Sequence, residues 1–276
     1  MKVGFIGVGS MGTILIEAFI QSGALEPGQI MASNRTRHKA QYLAEQYPGL
    51  QVAASNREVA RDNECIFICV KPHEYKKVIE DIEPYVTSDH IIVSITSPVL
   101  IKHLEDLLPC KIAKIIPSIT NYALSGASLC MYSERMTPGD CELLEALFRK
   151  ISAPHRIEER YTRITSDLSS CGPAFLCYFV EQFVEAAVEI TGISREEANK
   201  LVSDMMLGTA KLLVEKEFTP STLQERVRVP GGITSEGLKL MESGLNGMFQ
   251  KLIYTTHAKY SSDLTKVETL FYGQKA

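Results

Sequence analysis

Residues 7–12, Gly7-Val8-Gly9-Ser10-Met11-Gly12, constrain this chain more than any other stretch. They directly follow the apolar run Val3-Gly4-Phe5-Ile6 and open a helix-like stretch at 11–22. A strand that turns through three spaced glycines into a helix is the phosphate-cradling turn of dinucleotide-binding folds. The first glycine permits the tight turn, the second lets backbone approach a pyrophosphate, and the third lets helix meet strand. N–H groups at the helix start then face negative charge, with the helix dipole behind them. Gly7, Val8, Gly9, Ser10, Met11 and Gly12 are therefore candidate cofactor ligands. Taken alone, a glycine motif also reads as a plain tight turn.

The surrounding pattern supports the cofactor reading. Apolar runs predict strands at 2–8, 29–33, 51–54, 65–70, 90–96, 111–116, 126–132 and 154–158, with helices near 11–22, 36–46, 73–82, 99–107 and 138–150. Cys65-Ile66-Phe67-Ile68-Cys69-Val70 is apolar throughout, as suits a strand covered on both faces of a parallel sheet. This alternation predicts an α/β fold, an N-terminal Rossmann-type doubly wound sheet. Beyond about residue 160 the pattern is helical only. A chain of 276 residues suits two domains. They are placed at 1–160, for dinucleotide binding, and 161–276, an all-α dimerisation and substrate domain, with the boundary falling within 155–165. Residues 174–190 are apolar nearly all round apart from Glu181, Glu185 and Glu189. One helix of a small domain rarely hides that much apolar surface by itself, so the helical domain is expected to pair with a second copy as a homodimer or higher assembly. Ser194 with Glu197, and Thr219 before Pro220, mark two further helix starts.

At the end of the second predicted strand, an NAD-type site would carry Asp or Glu to hold the ribose hydroxyls. Here the residues are Ser33-Asn34-Arg35-Thr36. No carboxylate repels a 2′-phosphate, Arg35 can bond one with charge assistance, and Ser33, Asn34 and Thr36 offer neutral hydrogen bonds. NADP(H) is thus expected over NAD(H), the alternative being a solvated basic turn. Val70-Lys71-Pro72 and Ser94-Ile95-Thr96-Ser97-Pro98 end the next two sheet strands of this pattern and would line the nicotinamide half. For Lys71, an ordinary surface lysine is an equally good reading.

Charge and cysteine usage exclude other classes. With 33 acidic and 29 basic side chains the net charge is −4, lacking the basic excess of a nucleic-acid or anionic-membrane binder. No apolar stretch reaches the 18 or so residues of a membrane span. The glycines at the start do not suit a signal peptide. The seven cysteines are odd in number and contain no Cys-x-x-Cys, and the six histidines are scattered. Reduced structural cysteines, no metal site and a cytoplasmic location are expected.

Two segments of the helical half look chemical. Ser169-Ser170-Cys171-Gly172-Pro173 places small residues before the apolar helix, with Gly172 a candidate substrate contact. Val229-Pro230-Gly231-Gly232-Ile233-Thr234 leads into another helix. Free N–H groups at Gly231 and Gly232 would hold a substrate carboxylate, and the Thr234 hydroxyl could bond a ring nitrogen. Helix-joining turns remain the alternative for both.

From end to end the chain resembles the pyrroline-5-carboxylate reductase family. The matching pieces are residues 7–12, 33–36, Asn56, 70–72, Ser94-Ile95, 170–175, and Pro230-Gly231-Gly232 with Thr234. The resemblance implies NADPH-linked reduction of the cyclic imine to proline, a Rossmann domain followed by a helical dimerisation domain, and a cofactor role for Asn56. It also gives Thr234 the catalytic contact to the imine nitrogen. Hydride transfer to a protonated imine needs no strong base, so orientation and exclusion of water would carry catalysis. The chain departs from the family pattern at four places. It has Pro117-Ser118-Ile119-Thr120 for Pro-Asn-Thr-Pro, Thr96-Ser97-Pro98 for the small residues after Ser94-Ile95, Cys171 within the Ser-Gly-Ser-Gly-Pro segment, and Val229 for the serine before Pro-Gly-Gly. These departures resemble a branch linked to competence, sporulation or biofilm development, so a catalytically weak NADP(H)-binding regulatory paralogue is the alternative. A β-hydroxyacid dehydrogenase would need a lysine early on the long helix, and residues 174–190 contain none.

Overall fold

The structure is a computed structural model and describes residues 1–273. Eight strands form one sheet in the order β3-β2-β1-β4-β5-β6-β7-β8. They are β1 (Val3–Ile6), β2 (Ile30–Ser33), β3 (Gln51–Val52), β4 (Cys65–Ile68), β5 (Ile91–Ser94), β6 (Lys111–Ile116), β7 (Ala127–Tyr132) and β8 (Ala153–Arg156). All neighbours are parallel except β6 and β7. Every residue of β1, β2, β4 and β5 is buried, as continuous apolar runs require of strands covered on both faces. The strand order reverses at β1, so the ends of β1 and β4 form the switch point where open α/β sheets bind ligands.

Helices α1 (Ser10–Gln21), α2 (Arg37–Gln46), α3 (Asn56–Asp62), α4 (Tyr75–Ile82), α5 (Ile101–Glu105), α6 (Pro138–Arg149) and α7 (Thr162–Ser166) surround the sheet. On one face Phe5 and Phe67 stack at 4.9 Å, and Phe148 meets Phe19 edge-on at 5.3 Å. The other face buries Ile66, Ile68, Tyr75, Ile79, Ile92 and Leu104. Helix α3 departs from the sequence expectation, and α5 is shorter than expected.

The second half is helical: α8 (Gly172–Thr191), α9 (Arg195–Glu215), α10 (Pro220–Val227), α11 (Ile233–Gly244) and α12 (Met248–Tyr272). Compact units divide at Pro173 and Tyr254, and residues 255–273 belong with the sheet. That differs from the sequence boundary, which kept 161–276 together. The reason is apolar burial: Val267 and Phe271 of α12 join the second sheet-face core, and Phe271 stacks on the buried His103 at 5.1 Å. In the unit 174–254, Ser194 caps α9 by accepting the Glu197 N–H at 3.2 Å, and Thr219 caps α10 by accepting that of Thr222 at 3.1 Å. Its core is small, Val184, Ala198 and Val202, beside an apolar groove of about 270 Å³ lined by Phe183, Ala187, Leu201 and Met205. Among the described residues no helix is long and apolar enough to cross a membrane, and no group of three His, Cys, Asp or Glu side chains could hold a metal ion.

Candidate active site

The glycine turn is built as its spacing requires. Gly7 has φ +102°, and a Cβ there would lie 2.7 Å from the Cys69 carbonyl oxygen. At Gly12 a Cβ would come within 2.2 Å of the Gly7 carbonyl, so the helix can meet the strand only without a side chain. Among the described residues nothing lies within 4 Å of the Gly9 Cβ position, which leaves open space above the turn. Gly9 caps α1 with no side-chain hydrogen bond, so the first-turn N–H groups around Ser10 and Met11 have no helical acceptor. Such a turn has the open N–H groups that could hold a pyrophosphate. Val8 serves it differently from its neighbours: its N–H donates to Asn34 Oδ1 at 2.9 Å.

The turn after β2 is partly committed to its own structure. Ser33 is buried and donates its hydroxyl to Asn56 Oδ1 at 2.8 Å, while the Asn56 amide reaches Asp81 at 3.5 Å. Asn34 donates to the Thr36 carbonyl at 3.0 Å. Arg35 and Thr36 are exposed. Arg35 pairs with Glu74 Oε1 at 2.7 Å, and the other oxygen of Glu74 accepts the Lys71 N–H at 3.3 Å. Glu74, which sequence reading missed, thus ties the β2 turn to the β4 turn across the switch point. Beneath it Tyr75 is fully buried, with its hydroxyl bonded to the Ile68 carbonyl at 2.8 Å and to Ser94 Oγ at 3.0 Å. Burial pushes the Tyr75 phenol well above its ordinary range.

Ser97 is half-buried after β5, and its carbonyl accepts from Lys114 Nζ at 2.6 Å. Ser118 turns inward: it is buried, its hydroxyl donates to the Ser169 carbonyl at 3.1 Å, and it accepts from the Thr120 hydroxyl at 2.9 Å. Residues 167–171 form a turn of π-helix before α8, and a Cβ on Gly172 would sit 3.2 Å from the Asp167 carbonyl. Arg163 donates to Asp167 at 2.9 Å and to Cys171 Sγ at 3.1 Å. All seven cysteines are free.

In the unit 174–254, Gly231 has φ +72° and Gly232 caps α11 without a side chain. The Gly232 N–H is already taken by the Val229 carbonyl at 2.9 Å. That corrects the expectation of a free amide there: the open donors shift to Ile233 and Thr234, in the first turn of α11. Both of these residues are exposed. Gly7 to Gly12, Ser33 to Thr36, Asn56, Val70 to Pro72 and Ser97 therefore gather at the carboxyl ends of β1, β2, β4 and β5, whereas Gly231, Gly232 and Thr234 belong to the other unit.

A glycine cradle at the switch point of a doubly wound sheet, followed by helices, defines a dinucleotide-binding oxidoreductase. Comparison with known proteins narrows the class. Residues 159–262 match the model for pyrroline-5-carboxylate reductase dimerisation, and residues 2–98 match that described as NADP oxidoreductase coenzyme F420-dependent. The chain is 43% identical to ComE operon protein 4 of Bacillus subtilis, covering 99% of this chain and 100% of that one. It is 31% identical to pyrroline-5-carboxylate reductase 3 of Macaca fascicularis over 88% of each. Among solved structures, pyrroline-5-carboxylate reductase from Coxiella burnetii overlays with a TM-score of 0.82 at 25% identity, covering 98% of both chains. The NADP-bound pyrroline carboxylate reductase of Plasmodium falciparum also gives 0.82, at 24% identity, covering 99% of this chain and 98% of that one. The chain belongs to the pyrroline-5-carboxylate reductase family.

Proposed function

We propose that this chain reduces 1-pyrroline-5-carboxylate, a cyclic imine bearing a carboxylate, to L-proline, using NADPH in preference to NADH. The observation that carries the cofactor part is the open cradle at Gly9 beside a β2 turn holding exposed Arg35 and Thr36 and no carboxylate of its own. First-turn N–H groups of α1 would hold the pyrophosphate, and Arg35 a 2′-phosphate. NADPH supplies the hydride when bound. The carboxylate of the substrate suits the open amides at the start of α11, and the Thr234 hydroxyl suits the imine nitrogen, holding its proton in line. No general base is required of the protein, because the protonated imine is already the electrophile. The exposed apolar side chains of α8 and α9 support a homodimer, and seven free thiols suit the cytoplasm. Steady-state reduction of pyrroline-5-carboxylate by purified protein tests this. Thr234→Ala is expected to lower kcat/KM at least about 10-fold, the worth of one hydrogen bond to a charged group. Turnover unaffected by that change would remove Thr234 from the site.

A second reading is favoured by Ser118, whose inward hydroxyl offers a ligand nothing, and by the similarity to ComE operon protein 4. It is an NADP(H)-binding regulatory paralogue that turns the imine over slowly. Tight NADPH binding without turnover would select it.

A further inference from the structure

Lys114 lies in β6 with none of its side chain exposed. A buried ammonium is strongly disfavoured unless paired and hydrogen-bonded. Its Nζ donates to the Ser97 carbonyl at 2.6 Å and to Glu159 Oε1 at 3.0 Å. That same glutamate oxygen accepts the Ile101 N–H at 3.0 Å. A second donor, the Tyr260 hydroxyl of α12, reaches the Ser97 carbonyl at 3.3 Å. The segment between β5 and α5 is therefore gripped at both ends, at the Ser97 carbonyl by Lys114 and Tyr260 and at the Ile101 N–H by Glu159. The Lys114–Glu159 ion pair closes the ring.

Stability alone does not account for a charge here, because a buried ion pair is commonly matched or bettered by apolar residues of similar volume. Burial pulls the Lys114 pKa down and Glu159 opposes that. An apolar side chain at position 114 could not hold the Ser97 carbonyl. That carbonyl belongs to the turn leaving the carboxyl end of β5, beside the switch point, where the nicotinamide half of the cofactor would lie.

We propose that Lys114 and Tyr260 are positioning residues for the nicotinamide half of the cofactor. By clamping the Ser97 carbonyl they fix the turn against which the nicotinamide is laid. They act through Ser97, and the adenine half is held elsewhere, by the glycine turn and Arg35. The inference rests on the cofactor reading above and adds to it a named clamp that links the last helix to the β5 turn.

The test compares two probes by calorimetry on the full-length protein: NADPH, and 2′,5′-ADP, which carries the adenine half and its phosphate but no nicotinamide. Tyr260→Phe is expected to raise the NADPH Kd about 3-fold and Lys114→Met about 10-fold or more, the worth of one neutral and one charged hydrogen bond. Both variants should keep the wild-type Kd for 2′,5′-ADP within about 2-fold, since their contacts to Ser97 do not touch the adenine half. Equal weakening of both probes would reduce the pair to general scaffolding, and unchanged NADPH binding would leave the clamp without effect. Either result overturns the proposal. Should Lys114→Met fail to fold, Tyr260→Phe decides, because it removes only a hydroxyl. A wild-type protein that binds neither probe refutes the cofactor reading itself, and the clamp falls with it.

Discussion

Replacing Arg35 by alanine should separate the two nicotinamide cofactors by an amount that follows from its surroundings. The Arg35 side chain is 86% exposed and pairs with Glu74 at 2.7 Å. An exposed pair of that kind contributes about 0–1 kcal/mol, so its loss leaves the fold intact. A guanidinium bonded to a phosphate contributes about 1.5–3 kcal/mol, and releasing it from Glu74 takes back up to about 1 kcal/mol. The net of about 0.5–3 kcal/mol corresponds to roughly a 2–150-fold rise in the NADPH Kd. NADH has no 2′-phosphate and should change by less than about 2-fold. Glu74→Gln should act oppositely, tightening NADPH by up to about 5-fold while keeping an acceptor for the Lys71 N–H. Calorimetric titration at one fixed ionic strength is the assay, because exposed charges are screened by salt. Equal weakening of NADPH and NADH by Arg35→Ala would refute the assignment of the 2′-phosphate to this residue.

Three further outcomes follow from particular contacts. Gly12→Ala, whose Cβ would press to 2.2 Å on a backbone oxygen, should cost about 1–3 kcal/mol and lower the melting temperature, whereas Gly9→Ala, with open space around it, should weaken NADPH at an unchanged melting temperature. Identical melting curves for the two variants would contradict the division of roles. Burial pushes the Cys65 and Cys110 thiols up to about 12, so at pH 8 their thiolate fraction is negligible, and a disulfide reagent should label them only after denaturation. Rapid labelling of all seven thiols in the folded protein would oppose this. Phe183 and Leu201, each 63% exposed beside the apolar groove, should lie in the dimer interface. Phe183→Glu or Leu201→Asp should shift the mass by light scattering toward the monomer, and an unshifted dimer would place the interface elsewhere.

The parts of the fold legible in sequence are those decided by local pattern. The apolar run 65–70 gave β4, the glycine spacing gave the tight turn between β1 and α1, and Ser194 and Thr219 gave the caps of α9 and α10. Helix α3 carries a local signal that could have found it, since Ser55 accepts the Glu58 N–H at 3.3 Å in a Ser-x-x-Glu box. With only Val59 and Ala60 buried, its apolar stripe is too short to read by period. What was not legible depends on distant partners. Lys114 lies in the predicted strand 111–116 with no local signal of its own, and is held buried by Glu159 and by the Ser97 carbonyl, which Tyr260 also reaches from far along the chain. Ser33 has the right chemistry for a phosphate, but Asn56 takes its hydroxyl. The return of α12 to the sheet follows from Val267 and Phe271, two side chains inside a helix that otherwise reads as continuous with the helical half.

Hydride transfer is followed with NADPH carrying deuterium at both positions of nicotinamide C4, the proline formed from pyrroline-5-carboxylate being analysed by mass spectrometry. Proline carrying one deuterium at C5, formed in step with NADPH consumed and at a greater rate than with NADH, is the expected result. NADPH bound at the cradle with no labelled proline produced would contradict it.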